Sequence, residues 1–145
     1  MESVADVLRH KYPQFNTTIP TRSIHDALHQ MHSENVDFLI ILDDERFLGV
    51  LTEHGLAEKI SYRTKDLDTA SVKEFMTTYL PVATPSDSLE YCMQLMERHN
   101  VRHLAIYDRF TFKGVVCSHD LMKQILMKRK ATFEEDKGRH SYPWD

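Results

Sequence analysis

The sequence predicts an α/β fold of two βαββα-type repeats packed about a pseudo-twofold axis. Three observations carry this expectation: a gapless internal repeat, an apolar period that switches between helix and strand, and turn residues at matching places. Slid against itself by 65 places, residues 18–60 fall on 83–125 without a gap. Identical pairs include Pro20/Pro85, Met31/Met96, Asn35/Asn100, Val36/Val101, Asp43/Asp108, Gly49/Gly114, His54/His119 and Leu56/Leu121. A long period present twice differs from a solenoid, which stacks several shorter units.

Each half has the same order of elements. Pro20 and Pro85 precede a helix, where a missing N–H costs least. Ser23 opens the first of these helices, with Ile24, Ala27, Leu28 and Met31 on one face. Its partner shows Leu89, Cys92, Met93 and Met96 at the same spacing. Apolar runs at Phe38–Leu42 and Leu104–Tyr107 read as buried strands, and Asp43-Asp44 and Asp108-Arg109 open turns. Second strands follow at Phe47–Leu51 and Phe112–Val116, then a second helix in each half. The expected organisation is a first repeat over 1–64 and a second over 65–127. Residues 62–70 (YRTKDLDTA) form the linker. Residues 128–145 (KRKATFEEDKGRHSYPWD) lose the apolar period and are expected to form a mobile tail.

Bulk properties bound the function. A chain of 145 residues with 41% hydrophobic and 28% charged residues is ordinary for a soluble domain that buries its own core. The net charge of −4 argues against a nucleic-acid polymer as partner, since phosphate contacts need a positive surface. The two cysteines, Cys92 and Cys117, form no CxxC pair or disulfide framework. Neither a signal-type segment nor a membrane-length apolar stretch is seen, so the expectation is a cytoplasmic protein with no membrane partner.

The phrases GVLTEHGL (49–56) and GVVCSHDL (114–121) repeat one another with different residues replaced. In each, a strand feeds a helix whose first N–H groups lack internal partners, an arrangement suited to phosphate. A carboxylate nearby offers acceptors to both hydroxyls of a ribose. Together with VKEFMT (72–77) and TPSDSLEYCMQLMERHNVRHLAIYD (84–108), these residues resemble a CBS domain, and the pair resembles a Bateman module over residues 3–127. The resemblance is to small stand-alone proteins made of one CBS pair. It implies a regulatory or sensor module, not an enzyme, that binds an adenine nucleotide (AMP, ADP, ATP or an NADH-like ligand) in a cleft between the repeats. No cofactor is required, and a homodimer is expected. A degenerate pair that serves only as a dimerising or partner-binding scaffold is the alternative.

By the same resemblance, the hydroxyl residue of the phrase and the backbone amides around it hold phosphate, and its acid holds ribose. Asp120 is that acid in the second copy, Cys117 stands at the hydroxyl position, and Ser118 and His119 supply neighbouring groups. Arg102, His103, Ala83 and Thr84 are placed to line the same cleft. The first copy keeps Thr52 and His54 but has Gly55 where the acid belongs, which makes it the weaker site. Local roles compete with these readings: Thr52 is a helix N-cap by type, and Asp120 suits the dipole of a first turn. Arg102 could equally be exposed charge, and Cys117 a redox-sensitive thiol or an inert buried one. His25, His29 and His32 share a helix face, but no Cys or carboxylate cluster completes a metal site around them.

Overall fold

The computed structural model describes residues 2–11, 14–60 and 67–139. Most of the expected linker, and the tail beyond Arg139 with Trp144, lie outside these residues. In chain order the elements are α1 (Val4–Lys11), β1 (Thr17–Thr18), α2 (Ile24–Glu34), β2 (Phe38–Asp43), β3 (Arg46–Thr52) and α3 (Glu53–Ile60). There follow α4 (Val72–Phe75), β4 (Val82–Ala83), α5 (Leu89–His99), β5 (His103–Asp108), β6 (Thr111–Cys117) and α6 (Ser118–Arg139).

Two three-stranded sheets form, in orders β1-β2-β3 and β4-β5-β6. In each, a short parallel strand flanks an antiparallel hairpin. The hairpin register shifts after Ile41 in one sheet and after Ile106 in the other, the same place in each repeat. Asp44 and Arg109 turn the hairpins in the left-handed region, at φ 55° and 58°. Helices α2 and α5 also match: Ser23 and Ser88 accept the amides of Asp26 and Tyr91, while Asn35 and Asn100 end them in αL conformation. Ile24, Ala27 and Met31 are buried on one helix, and Leu89, Cys92, Leu95 and Met96 on the other. Each large apolar side chain so buried contributes about 1.5–3 kcal/mol.

Packing groups the chain differently from sequence order. One compact unit is Pro13–Leu80, and the other combines Met1–Tyr12 with Pro81–Asp145. The cause is an exchange of short helices. Val4 and Val7 of α1 lie in one core with Leu89, Leu104, Ile106 and Leu121 of the second repeat. Val72 and Phe75 of α4 lie in the other core with Ile24, Leu39, Leu51 and Leu56 of the first. Each exchanged helix docks its first amides on the turn before the receiving repeat's long helix. Val4 and Ala5 donate to the carbonyls of Asp87 and Pro85; Val72 and Lys73 donate to those of Arg22 and Pro20. These bonds satisfy donors that an isolated helix start would leave open. The expected partition at residue 64 therefore assigns α1 to a repeat whose core it does not join.

At the other end, α6 runs on to Arg139, so residues 128–139 continue the helix beyond the end of its apolar stripe. Lys, Arg, Glu and Ala are good helix formers, and propensity extends a helix after its apolar stripe has ended.

Candidate functional site

The strand–helix junction of the second repeat has no loop. Val115 and Val116 are buried in β6, Cys117 ends the strand, and Ser118 opens α6 at once. The helix start is capped from within its own first turn. Asp120 does this: its Oδ2 accepts the Cys117 N–H at 2.8 Å. In the first repeat the same junction is capped the other way, with Thr52 Oγ1 accepting the Gly55 N–H at 2.9 Å.

These are the two halves of a capping box. An acid at the third helical position reaches back in α1 (Asp6 to Ser3 N–H), α4 (Glu74 to Ser71 N–H) and α6. A hydroxyl before the helix reaches forward in α2, α3 and α5. The residues missing from each repeated phrase are thus complementary. Where Asp120 supplies one half of the box, Cys117 need not supply the other; where Thr52 supplies its half, Gly55 need not.

Asp120 has a further partner. Lys11 Nζ, at the end of α1, lies 2.6 Å from the same Oδ2, with the two side chains 21% and 15% exposed. Burial alone would raise the pKa of this carboxyl. The Lys11 ammonium and the Cys117 N–H more than offset that, and it titrates below the ordinary Asp value. Asp120 is therefore an ionised, half-buried carboxylate at neutral pH. The thiol of Cys117 is pushed the opposite way, up to about 11, by burial and then by the charge of Asp120. A thiol that stays protonated is a poor nucleophile, so the redox-sensitive reading of Cys117 gives way to the inert one.

The remaining expected residues are distributed as follows. The Ser118 amide donates to the Arg102 carbonyl at 2.9 Å, so this amide and that of Cys117 are both engaged within the protein. His119 follows in the first turn, exposed. His103 opens β5 directly across from Cys117, and Arg102 precedes it with an exposed side chain. Asp120, Cys117, Ser118, His119, Arg102 and His103 thus share one end of the sheet.

Ala83 and Thr84 are separated from this group. Ala83 pairs with Ile106, three residues along β5 from His103, which is roughly 10 Å of strand. Its side chain is buried in the core. Thr84 is exposed and committed to a turn in which its N–H donates to Asp87 Oδ2 at 2.7 Å. A molecule of nucleotide length spans that separation, but neither residue shares a single ligand group with Asp120. In the first repeat Thr52 is the cap described above, and His54 is exposed, 3.2 Å from Glu58 on the same helix. Among the described residues no group of three His, Cys, Asp or Glu side chains is placed to hold a metal.

Lys11 is the residue that sequence reasoning missed. It lies 109 positions from Asp120 and stands in the repeat whose core it does not join. Its only local signal is a basic last turn on α1, which any helix C-terminus favours.

The tandem three-stranded sheets and their strand–helix junctions agree with comparison to known proteins. The CBS domain family model matches twice, at residues 4–62 and 72–127, and the chain belongs to that family. It is similar to the CBS domain-containing protein YhcV of Bacillus subtilis (strain 168), at 32% identity over 121 residues, covering 83% of this chain and 84% of the relative. Among solved structures it resembles the CBS domain NE2398, at 28% identity and a TM-score of 0.79, covering 87% of this chain and 99% of the other. The CBS-domain containing protein ATU1752 from Agrobacterium tumefaciens shares the fold at 22% identity and a TM-score of 0.77, with 85% and 98% covered. Tandem CBS domains are generally regulatory modules rather than catalytic ones. No helix among the described residues is long and apolar enough to cross a membrane.

Proposed function

We propose that this protein is a regulatory module that binds one adenine nucleotide per chain, with the ribose at Asp120. The observation that carries the reading is the charge state and setting of that carboxylate. It is ionised, half-buried and at the surface end of a sheet, beside Arg102, His103 and the first turn of α6. Family membership supports a small-molecule regulatory role for such a junction. Gly55 offers no acceptor side chain in the first repeat, so that junction is the poorer of the two. With the Cys117 and Ser118 amides engaged, phosphate falls to the first-turn amides from His119 onward and to Arg102.

A thermal-shift panel of AMP, ADP, ATP, NADH and S-adenosylmethionine tests the proposal. A ligand at 100 times its Kd stabilises by ~2.7 kcal/mol. For a domain near this size that is a Tm rise of roughly 5–10 °C. Titration calorimetry should then give one site per chain, lost in Asp120→Ala and retained in Thr52→Ala. Cys117→Thr should tighten AMP but not adenosine, because the restored hydroxyl can donate to phosphate. No shift with any compound favours the scaffold reading, and two equal sites per chain refute the choice of Asp120.

The module is also proposed to self-associate through α5 and α6. Tyr91, Met93, Met122, Leu126 and Met127 are exposed there, with acidic Glu90 and Glu97 on one helix and basic Lys123 and Lys130 on the other. A twofold arrangement sets the acidic helix of one copy against the basic helix of its mate. Sedimentation at micromolar concentration should give a dimer mass, and a monomer mass refutes the arrangement.

A further inference from the structure

Asp120 already has an occupant, and it belongs to the protein. The Cys117 amide at 2.8 Å and the Lys11 ammonium at 2.6 Å both fall on Oδ2. Two donors fill the two lone pairs of one carboxylate oxygen. A diol held by a carboxylate uses both oxygens, one for each hydroxyl. One donor must therefore leave Oδ2 before a ribose is held in that way.

The two donors differ in freedom. The Cys117 amide is part of the backbone that continues the β5–β6 ladder, and its loss would uncap α6. Lys11 ends α1, and its ammonium sits on a flexible four-carbon stem. The first half of α1 is anchored by buried Val4 and Val7 and by backbone bonds to Asp87 and Pro85. Its last turn carries exposed Arg9 and His10; Leu8 packs against the core, and Lys11 supplies that turn's ion pair to α6.

Resting on the assignment of ribose to Asp120, we propose that Lys11 is a built-in competitor for the ligand's diol. In the free protein it neutralises the half-buried carboxylate, which would be costly to leave alone. As the diol binds, Lys11 yields Oδ2 and the last turn of α1 loosens. Occupancy of the site is thereby passed to a helix that the chain's other repeat contributes in sequence. Lys11 also lowers the affinity of the wild-type protein, since the ligand must displace it.

Titration calorimetry of adenosine and 2′,3′-dideoxyadenosine against wild type and Lys11→Met tests this. Met keeps the apolar stem and removes the charge. Adenosine should bind Lys11→Met roughly fivefold more tightly, the size of a modest ion pair relieved from competition. The dideoxy compound, which has no diol, should not change. Equal or weaker adenosine binding overturns the proposal, as does a gain shared by the dideoxy compound. Weaker binding confined to AMP makes Lys11 a phosphate contact and overturns it too. Hydrogen exchange on the wild-type protein decides the matter even if the variant does not fold. Saturating adenosine should speed exchange at Leu8–Lys11 several-fold without speeding that of α5, and unchanged or slower exchange overturns the competitor. If adenosine binds and Asp120→Ala abolishes binding while Lys11→Met has no effect, only the competitor falls. If no adenine compound binds either protein, the ligand assignment falls with it.

Discussion

Asp120→Ala removes the acceptor of the Cys117 N–H and the counter-ion of Lys11 in one step. The lost cap costs ~1 kcal/mol. The Lys11 ammonium, with its side chain 21% exposed, keeps access to water. The roughly 3–5 kcal/mol typical of breaking a fully buried pair therefore does not apply, and ~1 kcal/mol is the appropriate scale. Together these give about 2 kcal/mol, a fall in Tm of roughly 6–8 °C for a chain near this length. Thr52→Ala removes only a cap and should cost about half as much. Urea unfolding at pH 7 of Asp120→Ala, Lys11→Met and the double variant isolates the pair, with an expected coupling of ~1 kcal/mol. The pH dependence has a definite sign. The carboxyl is depressed in the folded state, so its contribution is complete above the unfolded value of 3.8 and disappears as pH falls through the lower folded value. The gap between wild type and Asp120→Ala should stay constant from neutrality to mild acid and close below that point. A coupling near zero, or a cost no larger than the few tenths of a helix-dipole interaction, would refute the assignment of these two contacts.

Other outcomes follow from the same structure. Gly49→Ala should cost about 2–4 kcal/mol in urea unfolding, because a Cβ there would lie 2.3 Å from the Thr77 carbonyl oxygen and break the Val50–Thr77 backbone pair. Burial raises both thiols to about 11 from 9.0, so the stability they contribute is complete below pH 9 and is lost as pH rises toward 11. Alkaline unfolding should therefore be delayed in the double variant Cys92→Ala, Cys117→Ser once its lower neutral-pH stability is subtracted. Both thiols should also react slowly with iodoacetamide at neutral pH in the folded protein.

Much of this fold is legible in the order of the residues. Local signals act within about four residues, and the sequence displays them directly. The stripe Ile24, Ala27, Met31 marks one buried helix face, and Asn35 and Asn100 mark its end and that of its repeat mate. Gapless correspondence of residues 18–60 with 83–125 determines that two like halves exist, and GVVCSHDL marks the junction where the second strand meets its helix. What an acid in a first turn does there is not legible. Asp120, Asp6 and Glu74 look alike in sequence, and all three cap a helix. Only packing distinguishes Asp120, because the core of the second repeat takes Val4 and Val7 from the far end of the chain and thereby delivers Lys11. The same long-range choice puts Ala83 in the interior and sets it about 10 Å of strand from His103 through the register of β4 on β5. Caps and periodicity are written in neighbouring residues, whereas the partner of a buried charge is chosen by which apolar faces find each other, and that choice exists only in the folded chain.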